Sequence, residues 1–146
     1  MLATGFGIAA HLPYLQKLIH NHHSHKSPIR RIHLIWQMKQ LGIAAQQLLN
    51  EALAEDKLDG DYILRISMYS ESEDIYETSF GSRSTVYRGK IPLRTILQTE
   101  LAERRPKSRT VMSVSANGAF QDELIALMRE FPRSNIDLAH TEYQPL

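Results

Sequence analysis

A pair of glycines near the start of the chain has the clearest chemical meaning in this sequence. The segment Gly5-Phe6-Gly7-Ile8-Ala9-Ala10 fits the pattern G-x-G-x-x-(G/A) after a short apolar strand and before a helical stretch. In that context Gly5 allows a tight turn, Gly7 lets a diphosphate approach the main chain, and Ala10 lets the helix pack on the strand. We therefore predict that main-chain N–H groups here bind the diphosphate of a nucleotide. A plain strand-to-helix turn, with glycine used only for its dihedral freedom, is the alternative.

The end of the second predicted strand bears on which nucleotide would bind. A NAD site has an Asp or Glu about 20 residues past the glycines. Here the sequence is Trp36-Gln37-Met38-Lys39, and the first acidic residue is Glu51. Lys39 would pair with the 2′-phosphate of NADPH through a charge-assisted bond worth about 1.5–3 kcal/mol. NADPH is thus the predicted cofactor, although a solvated lysine after a buried strand would give the same sequence.

A second turn of small residues follows the fourth predicted strand. Ser115-Ala116-Asn117-Gly118 leaves that strand and enters a helical stretch. Because ligands of open α/β sheets lie across the carboxyl ends of the strands, we expect this turn at the same edge as the first. A generic strand-to-helix turn is again the alternative.

The elements that must position these turns alternate along the chain. Apolar runs predict five strands, at Leu2–Thr4, Arg31–Met38, Tyr62–Tyr69, Thr110–Ser115 and Ile136–His140. Helical spacing separates them, and Pro13 predicts that the first helix begins near Leu12 or bends there. Ser70–Lys90 is predicted as a surface loop in which Thr85–Arg88 could form a short strand. The fold class is α/β, a Rossmann-like open parallel sheet of about five strands with helices on both faces and a truncated first strand.

Composition and charge narrow the classes of function. The 146 residues, 42% of them hydrophobic, indicate one globular domain, and zero cysteines exclude thiolate nucleophiles and iron–sulfur ligation. Residues 1–50 carry five basic side chains and no acidic one, so their net charge is +5. Residues 51–146 carry 12 basic and 16 acidic side chains, so theirs is −4. We therefore expect the first third of the chain to attract anions.

Three other classes of site receive little support. The histidines at positions 20, 22, 23 and 25 have no second ligand cluster, which favours a solvated helix end over a metal site. No G-x-S-x-G elbow anchors hydrolase chemistry. Residues 17–39 are basic but lack the interleaved surface aromatics of a nucleic-acid surface, so no nucleic-acid partner is predicted.

Five motifs along the chain occur in an order that is known from other proteins. They are Gly5–Tyr14, Arg31–Gln37, Gly89-Lys90-Ile91-Pro92, Val114–Gly118, and Ile136-Asp137-Leu138 before Tyr143-Gln144-Pro145. This order is similar to that in fungal ferric-chelate reductases. The chain resembles the C-terminal NAD(P)H-binding domain of the ferric reductase and NADPH oxidase family, within the ferredoxin–NADP reductase superfamily. The Leu-Pro-Tyr after the glycines and Trp36 at the end of the second strand are its more specific marks.

The resemblance implies roles for residues around the nucleotide. The diphosphate would be held by Gly5, Phe6, Gly7 and Ile8. Thr4, directly before them, would also belong to the cofactor site. Trp36 would border the adenosine, with Gln37 beside it. Lys39 stands where relatives often have an Arg for the 2′-phosphate.

The resemblance also implies roles on the nicotinamide side. Ser115, with Ala116, Asn117 and Gly118 after it, stands where many relatives have a Cys beside the nicotinamide. This departure removes a thiol from the hydride path, so Ser115 would only position the ring. Tyr143 stands where relatives place an aromatic that covers the flavin and must move before the nicotinamide stacks; packing on the last strand is its alternative role.

For the full protein, the resemblance implies a ferric-chelate reductase at the cytoplasmic face of the plasma membrane. It would pass a hydride from NADPH to FAD and then single electrons through membrane haems to ferric chelates. Residues 1–146 would be its NADPH domain, a fragment without the upstream flavin domain and the haem membrane helices. The alternatives are a superoxide-producing NADPH oxidase and a truncated, non-catalytic NADPH-binding or interaction module.

Overall fold

Strands and helices alternate along the chain. The computed structural model describes residues 1–39, 43–56, 60, 62–73, 78–79, 83–131 and 136–140. The strands are β1 (Leu2–Thr4), β2 (Ile32–Gln37), β3 (Leu64–Ser70), β4 (Thr78–Ser79), β5 (Ser84–Arg88), β6 (Thr110–Ser115) and β7 (Ile136–His140). The helices are α1 (Ile8–His23), α2 (Ile43–Glu55), α3 (Leu93–Glu103) and α4 (Gly118–Met128). One 3₁₀ turn, Gly5–Gly7, joins β1 to α1.

The strands form one sheet in the order β4-β5-β3-β2-β1-β6-β7. All neighbouring strands are parallel except β4 and β5. One apolar core joins α1 and α2 to one face of the sheet, and a second core joins α3 and α4 to the other face. The predicted open parallel sheet with helices on both faces is therefore confirmed, and its three-residue first strand lies inside the sheet, between β2 and β6.

The sheet has more strands than predicted because part of Ser70–Lys90 belongs to it. Strand β5 pairs in parallel with β3, and the short β4 pairs antiparallel with β5. Val86 of β5 is buried in the core, and the Tyr87 ring stacks on Tyr69 at 4.9 Å between ring centroids. The prediction of a surface loop is thus wrong over β5, while the short strand within it is confirmed and begins one residue earlier. The Ser- and Arg-rich composition concealed a strand with only one buried aliphatic side chain.

Helix α1 begins at Ile8, not near Leu12. Its side chains at Leu12, Leu15 and Ile19 are buried, while Pro13 is exposed inside the helix. The missing N–H of Pro13 removes one backbone hydrogen bond in the second turn, and the remaining apolar face keeps the helix on the sheet. The start of α1 therefore comes directly after the glycines, at the carboxyl edge of the sheet.

Candidate nucleotide site

The centre of the sheet contains the point where the strand order reverses. From β1 the chain adds β2, β3 and β5 on one side, and then places β6 and β7 on the other. Ala3 of β1 lies opposite Trp36 of β2 and Ser115 of β6. The carboxyl ends of β1 and β6 therefore border the crevice in which open α/β sheets bind ligands. Both small-residue turns singled out in the sequence lie at this edge.

The two glycines of the first turn are needed for different reasons. Gly5 has φ +53°, a left-handed conformation that favours glycine, and a Cβ added to it would meet open space. A Cβ added to Gly7 would lie 2.0 Å from the carbonyl oxygen of Ser115. Gly7 is therefore required for packing of the turn against β6, whereas the sequence interpretation assigned it to the approach of a diphosphate. Phe6 between them is 86% exposed, so the turn faces solvent.

The start of α1 supplies donors for an anion. The Ile8 side chain is buried in the core and its N–H donates to the Phe6 carbonyl, so Ile8 supports the turn. The first N–H groups of a helix lack intrahelical acceptors, and the helix dipole is positive there. Ala9 and Ala10 follow Ile8 in this first turn, where both are half-buried and neither has a side chain beyond Cβ.

A side-chain hydrogen bond connects the two turns. The Asn117 N–H donates to Thr4 Oγ1 at 2.9 Å across the end of the sheet. Asn117 also caps α4, because its Oδ1 accepts from the Phe120 N–H at 2.9 Å. The Gln121 side-chain amide donates to the Ala116 carbonyl at 2.7 Å. These bonds fix the backbone of the second turn, and its residues Asn117 and Gly118 are exposed at the end of β6.

Ser115 lies beneath the first turn. It is 4% exposed, and its Oγ is 3.0 Å from the position a Cβ would take on Gly7. The side chain thus packs where the first turn meets β6. A contact between Ser115 and a bound ring would be made from below Gly7, at the edge of the crevice.

Trp36 is a support for the first turn. Its indole N–H donates to the Gly5 carbonyl at 2.9 Å, and the ring is buried in the core formed with α1. The bond holds Gly5 in its left-handed conformation from the β2 side. Trp36 therefore acts on the site through the turn, and its burial leaves little of the ring to border an adenosine.

Gln37 uses its whole amide within the protein. Its Nε2 donates to the carbonyls of Gly89 at 3.1 Å and Tyr69 at 3.3 Å, and its Oε1 accepts from the Ile91 N–H at 2.8 Å. Gln37 thus fastens the segment after β5 to the ends of β2 and β3. Lys39, two residues later, is exposed at this edge.

Two further cations at this edge were missed as candidate residues. Arg88 ends β5 and Lys90 follows it, and both side chains are exposed. The bonds of Gln37 to Gly89 and Ile91 hold the main chain on either side of Lys90. The signal was the Gly-Lys-Ile-Pro motif, which predicts a binding turn only once the preceding residues are recognised as a strand.

The basic side chains of the first third of the chain do not all lie at the crevice. Lys26, Arg30 and Arg31 precede β2 and so lie at the amino edge of the sheet, opposite the two turns. Arg31 is also paired there with Glu100 at 2.6 Å. Only Lys39 of the five cations follows a strand at the carboxyl edge. Strand direction thus separates the basic side chains of the first third, and Lys39 is the one that lies at the carboxyl edge beside the turns.

The histidine cluster at the end of α1 is partly structural. His22 is buried and its Nδ1–H donates to the Ile29 carbonyl at 2.8 Å. His23 lies 3.3 Å from the buried carboxylate of Asp56. The prediction of a solvated helix end is thus wrong for these two histidines, while the other two are exposed. In the part of the chain that the structure describes, no group of three or more His, Asp or Glu side chains is placed to hold a metal ion.

One predicted site residue, Tyr143, lies outside the described residues. Its role over a flavin ring stays a prediction.

Comparison with known proteins adds a family to this geometry. A protein-family model described as "Ferric reductase NAD binding domain" matches residues 1–137, a span that includes both turns and the end of β2. This match confirms the resemblance drawn from the motifs. No curated protein matches the sequence. Among the described residues, none of the helices has both the length and the apolar character needed to cross a membrane.

Proposed function

Because the chain belongs to the family of ferric reductase NAD-binding domains, we propose that it is the NADPH-binding module of a ferric-chelate reductase. The observation that carries the proposal is the bond between the two turns. The Asn117 N–H donates to Thr4 Oγ1, which brings the starts of α1 and α4 together where the crevice opens between the ends of β1 and β6. This opening is called the mouth below. Two helix starts at a strand-order reversal form a site suited to a dinucleotide.

The chain's own residues would divide the ligand between them. The exposed turn at Gly5 and Phe6 and the first N–H groups of α1 would bind the diphosphate. Lys39 would bind the 2′-phosphate, because no carboxylate of β2 stands at its end to repel it. The nicotinamide would be bordered by the end of β6 and the turn after it, Ser115, Ala116, Asn117 and Gly118.

The chain's contribution to catalysis would be orientation. NADPH, when bound, supplies a hydride. Thr4, Trp36 and Gln37 would keep the two turns and the end of β2 fixed, so that little ordering is needed when the ligand binds. Ser115 and Tyr143 would position the rings at the point of transfer.

The full protein would supply the remaining cofactors. We propose an FAD-binding domain upstream of this chain and haems in membrane helices, so that the NADPH site lies at the cytoplasmic face of the plasma membrane. Ferric chelates would be the final electron acceptor. Oxygen as acceptor, giving superoxide, is the alternative within the same family.

Calorimetric titration with NADPH and NADH tests the cofactor assignment. We expect the wild-type chain to bind NADPH more tightly than NADH. Lys39→Ala should raise the Kd for NADPH about 10- to 100-fold and leave that for NADH unchanged, because only the 2′-phosphate contact is lost. Lys26→Ala is the matched control, since it removes an exposed lysine at the opposite edge of the sheet.

Equal loss of affinity for both dinucleotides in Lys39→Ala, or equal binding of both by the wild type, would contradict the NADPH assignment.

Mixing the chain with a flavin domain of the same family tests the redox role. NADPH-dependent bleaching of the flavin spectrum is expected. Tight NADPH binding without bleaching would indicate a non-catalytic module.

A further inference from the structure

A buried histidine lies directly under the proposed nucleotide mouth. His11 is in the first turns of α1 and is 0% exposed. Its Nε2 is 2.7 Å from the carbonyl oxygen of Leu2 in β1, and its Nδ1 is 3.4 Å from Ser113 Oγ in β6. One imidazole thus connects the helix after the glycines to both strands that border the crevice.

The hydrogen bonds fix the state of this ring. A carbonyl oxygen only accepts, so Nε2 carries the hydrogen and Nδ1 is left to accept from the Ser113 hydroxyl. Burial lowers the pKa of His11, which favours this neutral form. Because both nitrogens are used and the ring is away from solvent, His11 has no face with which to touch a ligand.

We propose that His11 is a positioning residue for the diphosphate turn, an inference that rests on the proposed function. Gly5–Gly7 is three residues long, and its distance from β6 is set by how closely the start of α1 approaches the sheet. A Cβ on Gly7 would clash with the Ser115 carbonyl, so the first turn and β6 are already in close contact. The bond from His11 to Leu2 holds α1 at that distance and thereby aims its first N–H groups at the mouth.

A purely structural role for His11 would lead to different effects of substitution than a positioning role. A buried residue that only fills space changes stability when replaced, whereas a positioning residue also changes the geometry of the turn and its affinity. His22 provides the matched comparison, because it is a buried histidine at the other end of α1 that likewise donates to a backbone carbonyl. Substitution of His22 should therefore affect stability without reaching the turn.

The experiment compares His11→Leu, His11→Gln and His22→Leu with the wild type in the whole chain. Three readouts are used well below each Tm: the Tm itself, the NADPH Kd by calorimetry, and the backbone amide shifts of Gly5 and Gly7 without ligand. Both Leu variants should have a lower Tm. Only His11→Leu should shift both glycine amides and raise the NADPH Kd, by about tenfold for the loss of one aligned hydrogen bond. His11→Gln, whose amide N–H can reach the Leu2 carbonyl, should recover most of the affinity.

Two results would overturn the inference. One is a His11→Leu variant with wild-type glycine shifts and wild-type NADPH affinity. The other is a His22→Leu variant that disturbs the turn as much as His11→Leu does. If the wild type binds no dinucleotide, the proposed function fails, and the glycine shifts of the ligand-free His11→Leu chain still decide whether His11 positions the turn.

Discussion

The two edges of the sheet use polar side chains for different purposes. At the amino edge, charged side chains pair with one another: Arg31 with Glu100, and Arg83 with Asp56, both at 2.6 Å. At the carboxyl edge, neutral side chains hold main-chain groups of the turns, and Lys39 is left exposed. Charge that is already paired adds stability to the fold, whereas charge beside a fixed, open turn is available to a ligand.

This difference shows why net charge along the sequence does not by itself locate an anion site. Lys39 follows β2 while Arg31 precedes it, and the length of one strand separates a candidate phosphate contact from a structural ion pair. Loss of a buried amino-edge pair should therefore lower stability, whereas loss of the exposed Lys39 at the carboxyl edge should act mainly on the ligand.

The largest effect is expected at Asp56 of the amino edge. Its carboxylate is 0% exposed and accepts from the Ile63 and Leu64 N–H groups as well as from Arg83. Asp56→Asn leaves the Arg83 charge without its counter-ion, which should cost about 3–5 kcal/mol of unfolding free energy. Urea unfolding followed by circular dichroism measures this loss.

The control for Asp56 is an exposed ion pair. Arg109 and Asp137 are 2.6 Å apart and both well exposed, so Asp137→Asn should leave the urea midpoint nearly unchanged. Equal destabilisation by the two Asn variants would show that burial does not distinguish these pairs.

An intermediate effect is expected from the glycines of the carboxyl edge. Gly7→Ala forces the turn away from the Ser115 carbonyl, at a cost of about 1–3 kcal/mol in stability, and should abolish measurable NADPH binding. Gly5→Ala meets open space and only strains φ, at a cost of about 1–2 kcal/mol, so a folded chain with weakened binding is expected. Thermal unfolding and calorimetric titration of both variants measure the difference.

Gly118→Ala completes this series. A Cβ there also meets open space and φ is not positive, so stability should stay at the wild-type level. A Gly7→Ala chain as stable as Gly118→Ala would show that the close approach of Gly7 to β6 does not matter for the fold.

The smallest effect is expected from Glu100 at the amino edge. Burial alone would raise the pKa of Glu100, but the hydrogen bond from His33 and the charges of His33 and Arg31 outweigh it and hold the pKa below its ordinary value. A carboxyl with a lowered folded-state pKa adds stability above its unfolded pKa and loses that stability as the pH falls through the folded value. Glu100→Gln should therefore cost about 1 kcal/mol at neutral pH and flatten the acid limb of the stability curve.

Urea midpoints from pH 7 down to pH 3 measure that limb, and NADPH affinity at pH 7 should be unchanged. A Glu100→Gln chain with an unaltered acid limb would mean that another carboxyl carries this dependence.

Local pattern was sufficient for most of the fold. The bounds of β1, β6 and β7 follow from short apolar runs, and those of β2 and β3 differ from prediction by one or two residues. Strand β5 was not recognised in full because its partners supply most of its burial: Tyr69 stacks on Tyr87, and Val86 fills a core made by other elements. Such a strand carries little periodicity of its own.

The sequence predicted where the two turns lie, but not which residues would contact a ligand and which support the turns. The glycine pattern and strand order put both turns at one edge, as expected. The sequence could not show that Gly7 faces Ser115, that Trp36 donates to Gly5, or that His11 contacts Ser113, because each is a contact between distant parts of the chain. Residue types suggest ligands, while packing decides which of them support the site instead.

The bond between Thr4 and Asn117 has a consequence for biosynthesis. Its two partners are 113 positions apart, so Thr4 is synthesised well before Asn117. Strand β1 can pair with β2 early, yet its second neighbour β6 is synthesised only after β3, β5 and α3. The mouth of the crevice is therefore among the last parts of the nascent domain to form, and NADPH can stabilise only its final folding steps.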